Sequence, residues 1–305
     1  MTHHTAHRPH QHGHPGPGHA HDHDHAAPSD AELAPLLDLD AEVLHEHYTE
    51  LTDWLAGHTT QGPTVRRVLD LGAGTGTGTF GLLRRFPAAT VTAVDSSPVL
   101  LARLAERAEQ LGLADRVTTV VADLDAPWPT FDGEGGADLI WASASLHHLA
   151  DPARALRRAY AALRPGGLLA VAELSGFPHF LPDDIGLGTP GLEDRCSAAL
   201  AAQHAAGLPH LGDDWGPLLT GAGFELAAER HFAIHLTAPL PAATGRYALA
   251  RLSRVRTGLA DRLSAEDAAT LDRLTATEGP ASVLHRTDLT VRTERDAWLA
   301  RCPAN

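Results

Sequence analysis

The segment Val68-Leu-Asp-Leu-Gly-Ala-Gly-Thr-Gly-Thr-Gly78 constrains the fold of this chain most. An apolar run passes directly into a turn with glycine at every second position from Gly72. A strand that ends in such a turn and continues as a helix opens a βαβ unit, the building block of a parallel sheet. Gly72, Gly74 and Gly76 let the backbone turn tightly and approach a ligand without Cβ clashes. Asp70 leads them, so the spacing is DxGxGxG. A dinucleotide fingerprint reads GxGxxG. That pattern fails here, because Thr77 stands three residues after Gly74 and Thr79 three after Gly76. The spacing therefore weighs against a nicotinamide-dependent oxidoreductase.

Apolar runs and helical patterns alternate downstream, which predicts strands at about 67–72, 91–95, 117–122, 137–143 and 168–174. Helices are expected between them, at about 77–86, 97–112 and 151–164. Upstream, Leu39, Val43, Leu44, Leu51, Trp54 and Leu55 recur at helical spacing and predict an amphipathic helix ending near Gly57. Residues 31–62 therefore read as an N-terminal cap and residues 63–305 as the main domain, with Gly62 and Pro63 in the linker.

Residues 1–30 are a different material. Ten histidines lie between His3 and His25 among Gly, Pro and Asp, too polar a mixture to fold alone. Imidazoles at such spacing can chelate a divalent metal, so the tail is expected to be disordered and able to bind zinc, nickel or copper. No metal site is expected in the folded domain.

The formal net charge is −14, and all 24 basic residues are arginine. Without lysine the chain can neither form a Schiff base with pyridoxal phosphate nor complete a phosphate-binding P-loop. The acidic balance argues against a nucleic-acid partner. No apolar run is long enough for a membrane span, and the start lacks an apolar signal region. With only Cys196 and Cys302, far apart, a cytoplasmic protein without a disulfide framework is expected.

Three further features fall at the carboxyl ends of the expected strands. The second strand ends Thr-Val-Thr-Ala-Val-Asp95 and is followed by Ser96; an acid there can accept both hydroxyls of a ribose. The third ends at Asp123-Leu124, an acid and an apolar neighbour suited to an adenine ring. Leu163-Arg-Pro-Gly-Gly-Leu-Leu turns the chain into the fifth strand. Taken in order, LDLGAGTG, AVDSSP, VADL, ADLIWASASLHHL and LRPGGLLAVAEL strongly resemble the class I S-adenosylmethionine (SAM)-dependent methyltransferases over about residues 65–175. The resemblance implies an α/β, doubly wound, Rossmann-like seven-stranded sheet of order 3-2-1-4-5-7-6 with strand 7 antiparallel. Residues 224–237 and 288–301 supply strands six and seven, and helical cap insertions fall at about 176–217 and 242–274. It also implies SAM contacts at Asp70, Gly72, Gly74, Asp95, Ser96, Asp123 and Leu124, with the Ala142 backbone near the methionine end.

Methyl transfer from a sulfonium needs alignment, removal of any proton on the nucleophile, and exclusion of water. His147 and His148 after the fourth strand, and Glu173 at the end of the fifth, are the candidate catalytic groups. Each can equally serve as loop scaffolding. Tyr48, Arg195 and Trp215 are candidate substrate contacts, Arg195 as a bidentate partner for a carboxylate. Two functions follow: methyl transfer to an oxygen or nitrogen of a small-molecule acceptor, or a metal-handling or regulatory SAM-binding protein working through its His-rich tail.

Overall fold

The computed structural model describes residues 29–59, 64–128, 136–208 and 210–304. The histidine-rich tail up to Pro28, and Gly62 and Pro63, lie outside the described residues. Two helices come first, α1 (Asp30–Val43) and α2 (His45–Gly57). The sheet domain follows with β1 (Arg67–Leu71), α3 (Thr77–Arg85), β2 (Thr90–Asp95), α4 (Pro98–Gln110), β3 (Val117–Val121), β4 (Ala137–Ser143), α5 (Pro152–Ala162) and β5 (Leu163–Leu174). The chain continues through α6 (Leu192–Gly207), α7 (Gly216–Gly221), β6 (Glu225–Leu236), α8 (Thr244–Gly258), α9 (Ala265–Leu274) and β7 (Val291–Arg301). None of the described helices is long and apolar enough to cross a membrane.

The sheet order is β3-β2-β1-β4-β5-β7-β6. β1 pairs in parallel with β2 and β4, and β7 runs antiparallel between β5 and β6. The order reverses between β1 and β4, the point where open α/β sheets bind ligands outside the strand carboxyl ends. One apolar layer packs α2, α3 and α4 on one face through Leu51, Leu55, Phe80, Leu82 and Leu104. The other packs α5 and α7 through Leu156, Ala159 and Leu219. A third cluster joins α1, α8 and α9 with Phe180 and Leu181 over the strand ends.

Three boundaries differ from the sequence expectation. The first helix begins at Asp30, not near 39, because Ser29 caps it and its N–H donates to Glu32 at 3.0 Å. Pro35 lies within this helix, which hid the first turns from a periodicity reading. The helix also breaks at Leu44, so the cap is two helices. Finally, β5 starts at Leu163, which already pairs with Ala137, with a register shift before Leu139.

The amino ends of β1, β4 and β5 are tied by Asp138. Its Oδ2 accepts the Arg66 and Arg67 N–H groups at 2.9 Å each, and its Oδ1 meets Arg164 Nε at 2.5 Å. Burial opposes ionisation of this carboxyl, but Arg164 and the backbone donors prevail and hold it below the usual range.

At the carboxyl ends, contact is closest at Gly72. Its φ is +72°, and a Cβ there would stand 2.3 Å from Ser145 Cβ. Gly112 has a similar φ of +67° but open space around it. Gly112→Ala should therefore cost only the left-handed strain, about 1–2 kcal/mol. Gly72→Ala adds overpacking, for about 2–5 kcal/mol in urea unfolding. Equal losses would contradict the contact with Ser145.

Candidate functional site

The glycine turn leaves β1 and is pinned to β2 at once. Gly72 N–H and Ala73 N–H both donate to Val94 O, at 2.8 and 3.0 Å. Asp95 then orders the next stretch: its Oδ2 accepts Gly74 N–H and its Oδ1 accepts Ser97 N–H, each at 2.9 Å. Ser97 in turn caps α4 by accepting Leu100 N–H at 3.1 Å. A carboxylate oxygen has two lone pairs, so each oxygen of Asp95 retains one for a further donor. Ser96 is exposed beside it.

Asp70 is buried, and Thr79 Oγ1 donates to its Oδ2 at 2.6 Å. Burial pushes this carboxyl up to about 7, Thr79 pulls it down, and the nearby Asp95 charge raises it again. A positive group arriving there would favour the ionised form. Thr75 Oγ1, inside the turn, is buried without a hydrogen-bond partner among the described residues. Leu37 of α1 lies over Gly74, 3.3 Å from where a Cβ would stand. An acid at a strand end, a second acid with free lone pairs, an orphaned hydroxyl and a turn without Cβ atoms form a surface that fits an aminoacyl nucleoside. Asp123 completes this edge two residues beyond Val121, which pairs with Asp95. Asp123 is exposed and its Oδ1 accepts Asp125 N–H at 2.8 Å, whereas Leu124 is buried in the core. Ala142 is wholly buried within β4 and can offer only backbone.

The neighbouring part of this edge is built around Glu173. Its Oε1 accepts Ser145 N–H at 3.0 Å and Leu146 N–H at 2.8 Å, and its Oε2 lies 2.6 Å from His147 Nδ1. A carboxylate only accepts, so Nδ1 carries the proton and Nε2 is left as the acceptor. Ser145 Oγ donates to Leu71 O at 2.8 Å, joining this loop to β1. Ala144, immediately before, has φ +50°, unlike every other described residue except glycines. Its left-handed backbone re-aims the chain at the end of β4. His147 is buried and His148 is exposed, with ring centres 4.1 Å apart. Partial desolvation of the His148 ring lowers its pKa to about 4. The His147 charge adds to this and Glu173 opposes it.

The structure brings Asp70, Gly72, Gly74, Asp95, Ser96, Glu173 and the His pair to one edge of the sheet. It does not bring the substrate candidates there as free groups. Trp215 is fully buried and packs in the core under α5 and α7. The fork of Arg195 is taken up by Asp267, at 2.6 and 3.2 Å, and by the Thr189 and Pro190 carbonyls. Here the indole is committed to the core and the guanidinium to Asp267 and two loop carbonyls. Tyr48 is half-buried and donates to Asp40 Oδ2 at 2.7 Å. The clamp roles of Ser145 and Ser97 and the cap residues Asp40, Tyr247, Arg251 and Arg295 escaped the sequence reading. Only Ser97 carried a readable signal, as a serine before proline at a helix start.

Residues 69–169 match the family model for a methyltransferase domain. Over 150 residues the chain is 34% identical to trans-aconitate 2-methyltransferase of Deinococcus radiodurans, covering 49% of this chain and 47% of that protein. It is also 34% identical over 137 residues to 27-O-demethylrifamycin SV methyltransferase of Amycolatopsis mediterranei, covering 45% and 48%. The chain thus spans about half the length of these curated relatives. A Bacillus halodurans protein proposed to be a methyltransferase shares the fold at TM-score 0.52 and 18% identity, covering 82% of this chain and 97% of that one. The match to a methyltransferase domain covers about a third of the chain and falls on the part of the sheet that runs from β1 into β5.

Removing the carboxylate of Glu173 would leave two buried N–H groups and an imidazole without their acceptor. Glu173→Ala should lower the unfolding free energy by about 3 kcal/mol or more. Denaturant unfolding within about 0.5 kcal/mol of the parent, the scatter expected for surface changes, would show that the clamp is not structural.

Proposed function

We propose that the chain transfers a methyl group from SAM to an oxygen or nitrogen of a small-molecule acceptor in the cytoplasm. The observation that supports this best is the convergence of Asp70, the glycine turn and Asp95 at the point where the strand order reverses, beside the Glu173–His147 pair. Asp95 and Ser96 would hold the ribose, Asp70 the ammonium of the amino-acid part, and Asp123 with Leu124 the adenine. Gly72, Gly74 and the Ala142 backbone would line the methionine arm. The sulfonium supplies an already activated methyl carbon, so the protein's tasks are alignment and proton management. The two named relatives act, by their names, on small organic molecules. Two free, buried cysteines are compatible with a reducing compartment.

Proton removal falls to His147 in this reading. Glu173 is its positioning residue: by accepting from Nδ1 it presents Nε2 as the base. α1 over the glycine turn helps to keep water out. The test of the function is to incubate the full chain with methyl-labelled SAM and extracts of the source organism, then identify the labelled molecule. Label transferred only to water, or to nothing, would refute the reading.

With an acceptor in hand, His147→Ala should lower kcat by about 10²–10⁴. Glu173→Gln should do the same with a smaller loss of stability, because its amide donates to Nδ1 and forces the wrong tautomer. His148→Ala should retain most activity. If His148 were the base instead, kcat/KM would show an acid limb near pH 4, where its neutral form is lost as pH falls, and His148→Ala would abolish that limb.

The His-rich tail is proposed to bind divalent metal independently of the fold. Because α1 starts at Asp30, the matching truncation begins at Ser29. It should keep the melting temperature and affinity for S-adenosylhomocysteine while losing zinc and nickel binding. Lost cofactor affinity would make the tail part of the site.

A further inference from the structure

The cap holds a polar cluster that the cofactor and the Glu173–His147 pair leave unused. Asp40 on α1 is buried, and both its oxygens accept phenol protons: Tyr48 donates to Oδ2 at 2.7 Å and Tyr247 to Oδ1. Two guanidiniums face the same carboxylate. Arg251 Nη2 is 3.6 Å and Arg295 Nη2 3.8 Å from Oδ1. Arg295 is buried, with Nη1 donating to the Thr293 hydroxyl at 2.7 Å and the Glu294 carbonyl at 3.0 Å.

The charges do not balance. Burial, reinforced by Asp40, raises the pKa of both phenols, so they remain neutral. His47, on the neighbouring turn of α2, is held at about 4 by burial first and by Arg295 next, with Asp40 opposing. It is therefore neutral as well at physiological pH. The cluster has two cations and one anion, and Arg251 Nε is buried without a hydrogen-bond partner among the described residues. A buried cation without its counter-charge is costly, and an arriving anion relieves it.

The cluster neighbours both parts of the site. Leu37, less than one turn before Asp40, covers Gly74 of the cofactor turn. Arg295 pairs with Leu174, the residue after Glu173, at the carboxyl end of β5. The cluster thus spans from the glycine turn to the strand that carries the catalytic clamp. Arg251 and Tyr48 are only half-buried, and the Arg251 guanidinium lies 5.9 Å from the Phe177 ring centre, just beyond β5.

We propose that Arg251 and Arg295, set in place by Asp40 and the two phenols that donate to it, Tyr48 and Tyr247, recognise a carboxylate on the methyl acceptor. The planar forks suit a carboxylate, and the phenol protons, held by Asp40, satisfy its oxygens so that the guanidinium edges can face a ligand. The carboxylate is an anchor that sets the acceptor's register. This inference rests on the methyltransferase reading above.

The test is calorimetric titration of the full chain, saturated with S-adenosylhomocysteine, with acetate, succinate and tricarballylate, and with the uncharged trimethyl ester of tricarballylate. At least one carboxylate should bind saturably and the ester should not. Arg251→Gln should weaken that binding about tenfold or more, and Tyr48→Phe should weaken it to a smaller extent, while affinity for S-adenosylhomocysteine stays within about twofold. Arg295→Gln can unfold the chain, so the half-buried Arg251 and Tyr48 carry the test. No binding by any of the three carboxylates, ester binding equal to tricarballylate, or an unaltered Arg251→Gln affinity would overturn the proposal. S-adenosylhomocysteine binding without carboxylate binding overturns this inference alone. Carboxylate binding without S-adenosylhomocysteine binding overturns the methyltransferase reading and leaves the anion site standing.

Discussion

The carboxylate of Glu173 joins the carboxyl ends of three neighbouring strands. It belongs to β5, holds the loop after β4 through Ser145 and Leu146, and reaches β1 through the Ser145 hydroxyl on Leu71 O. Asp138 does the equivalent at the amino ends, gathering Arg66, Arg67 and Arg164. Strands 1, 4 and 5 are therefore fixed at both ends by a carboxylate that accepts from backbone N–H groups. The Glu173 clamp also decides what Gly72 must be. Ser145 drawn onto β1 occupies the volume of any Cβ at that position. The rigid edge, the bare turn and the oriented imidazole have one origin.

The site divides into two electrostatic halves. Asp70 and Asp95 line the cofactor side with carboxyls, and burial first, with the Asp95 charge adding, raises the Asp70 pKa to about 7. Across α1, Arg251 and Arg295 make the cap side basic. α1 carries both contacts, with Leu37 over Gly74 and Asp40 between the two arginines, so one helix touches the glycine turn and the proposed carboxylate anchor. Its attachment to the sheet domain includes an ion pair between Asp38 and Arg103 of α4.

The part of the fold legible in the sequence was the part with short-range causes. Alternating apolar runs, the DxGxGxG turn and the strand-end acids located β1 to β4 within a residue or two, and the resemblance supplied the order of β6 and β7. Helix α1 was partly hidden because Pro35 interrupts its pattern, although Ser29 and Glu32 form a capping pair visible in the sequence. Trp215 and Arg195 misled because composition cannot distinguish an indole or guanidinium that faces a ligand from one committed to core or partner. Asp40, Tyr247, Arg251 and Arg295 could not have been grouped in advance. Asp40 and Tyr247 are 207 residues apart, and only the return of α8 and β7 over α1 brings these residues together.

The central claim is that the turn after β1 is shaped for an aminoacyl nucleoside and not for a pyrophosphate. The most direct measurement is calorimetric titration of the full chain with S-adenosylhomocysteine and, separately, with NAD. The account predicts one S-adenosylhomocysteine per chain and no binding heat with NAD. Saturable NAD binding without S-adenosylhomocysteine binding would contradict it.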